Sequence, residues 1–140
     1  MWTHEVVGEC AAGPARIFGI WADAQRWSEW NAGVRGIELH GSFAAGTEAV
    51  MVLPDATTLP FRLSWVEPGK GFEDVTELPD AGVTVRVRHE LLPHADGTRI
   101  VYRCRVEGPE PAAGDVGRAV TADFADVIAA LVARAEQRDG

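Results

Sequence analysis

Four side chains of this 140-residue chain carry reactive or proton-exchanging groups and fall, by strand alternation, on what reads as the inner face of a sheet: His89, Tyr102, Cys104 and His4. An imidazole titrates near neutral pH and a phenol both donates and accepts hydrogen bonds. His89 and Tyr102, on neighbouring strands, could therefore orient a carbonyl or serve as acid and base. They are the two catalytic candidates. The plainer role for His89 is that of a hydrogen-bonded core histidine, and both roles stay open at this point. Cys104 and His89 form no local nucleophile signature. The four histidines, His4, His40, His89 and His94, are dispersed without an HxH or HExxH spacing, so no metal is expected. With no GxGxxG or P-loop glycine pattern, no nucleotide cofactor is expected either.

The elements that must position these groups are readable from periodicity. Residues 2–10 alternate as a half-buried strand. Pro14 then opens a helical insert over residues 14–30, with Ile17, Ile20 and Trp21 at helical spacing. Asp23 is placed to cap a second short helix carrying Trp27 and Trp30. Strand-like runs follow at residues 33–40, 47–53, 59–65, 72–78, 83–91 and 100–106, separated by Gly/Pro/Asp turns. Pro60 predicts that the fourth strand starts late or runs along an edge there. In the last two runs Val83, Val85, Val87, His89 and Leu91, and Ile100, Tyr102, Cys104 and Val106, share one apolar face, while Arg86, Arg88, Arg103 and Arg105 share the other. A single amphipathic helix over about residues 115–138, with Val116, Val120, Phe124, Val127, Ile128 and Leu131 in one stripe, is expected to cover the apolar face. The whole predicts an α+β fold, a seven-stranded antiparallel sheet wrapped around a long C-terminal helix with two short helices after the first strand.

Bulk properties exclude several classes. The length suits one domain. A composition of 46% hydrophobic and 24% charged residues is ordinary for a globular protein, and no apolar run approaches the ~18 residues of a membrane span. A net charge of −8, with Lys70 the single lysine among 13 basic residues, argues against a nucleic-acid partner. The first residues lack a secretory pattern, which points to the cytoplasm. Cys10 and Cys104 are expected to be reduced, because in an antiparallel pairing of the first and last strands one falls at a strand end and the other mid-strand. Self-association as a homodimer is one arrangement the sequence leaves open.

The stretch Ala11-Ala12-Gly13-Pro14-Ala15-Arg16-Ile17-Phe18, leading to Asp23-Ala24-Gln25-Arg26-Trp27-Ser28-Glu29-Trp30-Asn31, resembles the opening of the SRPBCC superfamily of START-related and polyketide cyclase/dehydrase-like proteins. The turn Val66-Glu67-Pro68-Gly69-Lys70-Gly71-Phe72 and the hairpin from Leu91 to Ile100 also look like family features. The resemblance spans the chain as one domain, residues 1–140. It implies a helix-grip (START, birch-pollen-allergen-like) fold with a hydrophobic cavity between sheet and helix. Members variously bind lipids, carry hydrophobic ligands, or cyclise and dehydrate polyketides.

The expected ligand-binding set is Trp30, Met51, Phe61, Leu63, Trp65, Val85, Val87, His89, Tyr102, Cys104, Val120 and Phe124. Trp27 is read mainly as packing, and Trp30 as either packing or a cavity gate. The leading expectation is a binder of a small hydrophobic, polyketide-like or lipid-like molecule. The alternatives are a polyketide aromatase/cyclase or dehydrase using His89 and Tyr102, and a non-enzymatic module whose arginine-rich face docks an acidic partner.

Overall fold

The computed structural model describes residues 1–137. The alternating runs form seven antiparallel strands: β1 (Trp2–Cys10), β2 (Gly36–Leu39), β3 (Glu48–Val52), β4 (Thr58–Glu67), β5 (Gly71–Leu78), β6 (Val83–His94) and β7 (Gly97–Glu107), in the spatial order β1-β7-β6-β5-β4-β3-β2. The first and last strands pair as expected, with His4 opposite Cys104 and Cys10 opposite Thr98, so the two cysteines stand apart and unbridged. Pro60 pairs only with β3, through Val50, because β5 joins β4 from Arg62 onward. The proline thus occupies a locally open edge. The strand expected over residues 33–40 is shorter, because the Gly33 N–H donates to the Asn31 side chain at 2.9 Å and Val34 N–H to the Asn31 carbonyl. Both groups are thereby taken out of the ladder.

The helical insert folds as α1 (Pro14–Ala22) and a 3-10 helix (Ala24–Glu29). Trp21 and Trp27 bury almost completely, and the Trp27 indole N–H donates to the Trp21 carbonyl at 2.9 Å, pinning the corner between the two helices.

Where a single closing helix was expected, there are two, α2 (Ala112–Thr121) and α3 (Phe124–Glu136); position 138, the expected end, lies outside the described residues. The break has a local cause. The Thr121 hydroxyl donates back to the Gly117 carbonyl at 2.9 Å, a bond that competes with the backbone ladder and bends helices, and Asp123 leaves helical geometry at φ −105°, ψ 3°. The apolar stripe survives the break: Phe124, Val127, Ile128 and Leu131 are buried.

Two glycines set how the helices sit. A Cβ at Gly8 would strike Ile128, and one at Gly117 would strike the Trp2 ring, so α2 and α3 approach the β1 side of the sheet closely. Toward β5, β4 and β3 the sheet curls away from them. That asymmetry opens a space inside the molecule.

The alternation fails at one place. The register of β4 against β5 shifts between Leu63 and Trp65, so Ser64 is an extra, bulged residue. Leu63 faces inward opposite Asp74, whereas Trp65 pairs with Glu73 and turns to the outer face, where the Arg88 guanidinium lies 4.0 Å from its ring centroid. The expectation that Trp65 faces the cavity is therefore corrected: one inserted residue exchanges the two faces.

Candidate functional site

The space between sheet and helices is a cavity of about 420 Å³. Its floor is the inner face of β5 and β6, with Phe72, Asp74, Thr76, Val85, Val87 and His89, joined by Tyr102 from β7. Trp21, Trp27 and Trp30 close one side, and Val120, Phe124 and Val127 another. Met51 and Leu59 form the far wall. Asn31, Gly33, Ala119, Ala122 and Asp123 also border it. A Cβ at Gly33 would lie 2.7 Å from an Asp123 carboxylate oxygen and 3.2 Å from the Asn31 amide oxygen, so the 31–33 loop meets the break between α2 and α3 there. Ala119, Ala122 and Asp123 are exposed, which makes this seam the mouth.

Of the twelve expected residues, Trp30, Met51, Val85, Val87, His89, Tyr102, Val120 and Phe124 line the cavity. Phe61, Leu63 and Cys104 are on the inner face but buried at 8%, 0% and 0% exposure under neighbouring side chains, outside the lining. Trp65 is on the outer face. His4 shares the inner register but is exposed beside Trp2, at ring centroids 5.8 Å apart, because β1 is an edge strand. Trp30, half-buried at the rim, has an indole nitrogen with no hydrogen-bond partner among the described residues.

The polar end of the cavity has a definite hydrogen-bonding pattern. His89 Nδ1 lies 3.2 Å from the Phe72 carbonyl, which can only accept, so Nδ1 carries the proton and Nε2 presents a lone pair. The ring stacks on Phe72 at 3.9 Å and stands edge-on to Tyr102 at 4.5 Å. Burial drives its pKa down to about 3, the bond to Phe72 opposing only in part, so the imidazole is neutral. The Tyr102 hydroxyl accepts the Trp21 indole N–H at 3.2 Å, which leaves its own proton free to donate. Burial pushes that phenol up, and it stays protonated.

The residue missing from the expected set is Asp74. It sits between Phe72 and Thr76 on the inner face of β5, keeps 18% side-chain exposure on the cavity wall, and brings a carboxylate oxygen 4.0 Å from His89 Nε2. Its oxygens have no hydrogen-bond donor among the described residues. Burial, and secondarily the charge of Glu73, raise its pKa to about 7. The signal was present in the sequence, since Phe72, Asp74, Thr76 and Leu78 alternate with Glu73, Val75 and Glu77. Cys104 is pushed up to about 12, by burial first and the charge of Asp74 second, so it holds no thiolate at neutral pH.

The outer arginines are matched within their own face. Arg103 reaches Glu5 and Glu90 at 3.1 and 2.9 Å, Arg88 reaches Glu73 and Glu90 at 3.3 Å each, and Arg86 and Arg105 share Glu107 at 3.6 and 3.3 Å. The surface is a mixed-charge lattice in place of a cationic patch.

A strongly curved antiparallel sheet gripping a C-terminal helical segment, with a partly open, largely apolar cavity between them, defines the class: a helix-grip domain. The chain belongs to the polyketide cyclase/dehydrase and lipid transport family of the SRPBCC superfamily, whose sequence profile matches residues 1–136. No curated protein sequence matches it. Among solved structures it is similar to a START superfamily protein from Mycobacterium smegmatis (TM-score 0.74, 15% identity, covering 96% of this chain and 97% of that one). It is also similar to truncated norcoclaurine synthase from Thalictrum flavum (0.80, 13%, 99% and 95%). A third likeness is to the di-domain ARO/CYC StfQ from the steffimycin biosynthetic pathway (0.79, 16%, 96% of this chain and 50% of that one). At these identities the likenesses establish the fold. No described helix is long and apolar enough to cross a membrane.

Proposed function

We propose that the protein binds one small hydrophobic molecule, polyketide-like or lipid-like, in the internal cavity. The observation that carries this reading is the cavity itself: about 420 Å³, walled by indole, phenyl and aliphatic groups, with three convergent polar groups at one end. Ligand sites generally have that size and make-up. Family membership supports it.

Native mass spectrometry of protein purified from its own host is expected to reveal one retained compound per chain. Val87→Trp, which places an indole inside the cavity, is expected to lose it, a weakening of at least about tenfold. A variant that keeps the compound would refute the placement. Trp65→Ala serves as the outward control. It is expected to change affinity less than about twofold, against a large loss if that indole were in the wall.

A second reading, catalysis of a cyclisation or dehydration, is favoured by Asp74. A carboxyl group with a pKa near 7, open to the cavity and beside a neutral imidazole, exchanges protons at physiological pH, where His89 and Tyr102 each hold one protonation state. In this reading Asp74 moves the proton, Tyr102 donates to a ligand carbonyl, and His89 orients. With a polyketone substrate, Asp74→Asn is expected to abolish the cyclised product while Tyr102→Phe reduces it. Unchanged product distributions would rule the reading out.

A further inference from the structure

We propose that the polar end of the cavity is an amine site: Asp74 and the Nε2 of His89 together hold the ammonium group of an aromatic or aliphatic amine whose apolar part fills the rest of the space. The inference rests on the cavity being a ligand site, and it goes further by naming the ligand's polar group.

The geometry comes first. Asp74 and His89 Nε2 are 4.0 Å apart, too far for a hydrogen bond between them. His89 already spends its single proton on the Phe72 carbonyl, so with Asp74 ionised both facing atoms are acceptors. Two acceptors at that separation can share one donor atom lying about 2.8–3.0 Å from each. A hydroxyl has one proton and serves one of them; an ammonium has three and serves both.

The surroundings agree. Trp21 and Tyr102 stand at steep angles to the His89 ring at 5.9 and 4.5 Å and Phe72 stacks on it at 3.9 Å, so the two acceptors sit in an aromatic, low-dielectric setting that strengthens their hold on a cation. No lysine or arginine lines the cavity among the described residues, and Asp123 adds a second acid at the mouth. An anionic headgroup would meet two carboxylates and no counter-charge. A buried carboxylate with no cation is costly, and a ligand ammonium supplies the one the fold omits.

The test uses three probes that share a naphthalene body: 2-(2-naphthyl)ethylamine, 2-(2-naphthyl)ethanol and 2-naphthylacetate, titrated into the full chain at about pH 8, where an alkylamine is protonated. The amine is expected to bind at least about tenfold tighter than the alcohol, and the acid weakest. In Asp74→Asn the advantage of amine over alcohol should fall below about twofold while alcohol binding persists, which also certifies an intact cavity. Should that variant not fold, Asp74→Ser takes its place with the same expectation. If the alcohol binds and the amine is not preferred, or the preference survives loss of the carboxylate, the amine site is overturned and the ligand cavity stands. If none of the three binds, both fall.

Discussion

Asp74→Asn is expected to stabilise the protein at neutral and alkaline pH, by about 2–4 kcal/mol at pH 8, and to do almost nothing near pH 4. The side chain has an ordinary pKa of 3.8 in the unfolded chain and about 7 when folded. In acid both states are protonated and no penalty exists. As pH rises from about 4 to 7 the unfolded chain releases its proton while the folded one retains it, so unfolding becomes progressively easier. Above about 7 the penalty is constant. An asparagine does not titrate, and the variant's advantage grows across that window.

His89 runs the other way. Its pKa is 6.5 unfolded and about 3 folded, so the stability it contributes by remaining neutral is present above 6.5 and lost as pH falls toward 3. In the wild type the two slopes oppose each other and the profile is nearly flat between pH 4 and 6.5. In Asp74→Asn the histidine slope stands alone. Denaturant midpoints measured across pH 4–8 read this directly, and superimposable profiles for the two proteins would contradict a buried, unpaired carboxyl at this position. A cavity-facing carboxyl expected to destabilise its own fold when ionised is a candidate functional group, and the proposed ligand is what would offset that cost.

Trp21→Ala is expected to cost about 3–5 kcal/mol, the range for deleting a fully buried large aromatic. Trp21 is 1% exposed, packs edge-on against Phe72 at 5.2 Å, donates to Tyr102 and accepts the Trp27 indole N–H at its carbonyl. Removing the indole enlarges the cavity and leaves the buried Tyr102 oxygen without its donor. Trp30→Ala, at the half-buried rim, is expected to cost less than about 1.5 kcal/mol while loosening ligand retention. Equal costs for the two would mean that the corner packs as one block and that Trp30 is no rim residue. Trp21 with Trp27 pins the corner, and the half-buried Trp30 borders the cavity, where the proposed ligand would pass it.

Much of this architecture was legible in the sequence because period-two alternation is a direct consequence of strand geometry. It located all seven strands and the apolar inner face of β6 and β7, whereas the β1–β7 pairing that separates the cysteines was a supposition that alternation alone does not supply. What escaped it has physical reasons. Alternation cannot see an inserted residue, so the bulge at Ser64 sent Trp65 outward. It assigns a face and not a place on that face. Phe61, Leu63 and Cys104 point inward but sit under packed neighbours, and the open region lies where α2 and α3 do not reach. The helix break depends on one hydroxyl–carbonyl bond, invisible in a hydrophobic stripe that runs unbroken through it. Asp74 was readable from the spacing of Phe72, Thr76 and Leu78, yet an acid in a weakly apolar strand draws no notice until Val87 is seen across from it.

The most direct test of the ligand-cavity account is a crystal structure of the protein with 2-(2-naphthyl)ethanol. The account predicts electron density for the naphthalene ring enclosed by Val85, Val87 and Phe124, with the hydroxyl directed toward Asp74 and His89. A cavity collapsed onto its own side chains, with the probe absent or lodged only on the outer surface, would contradict it.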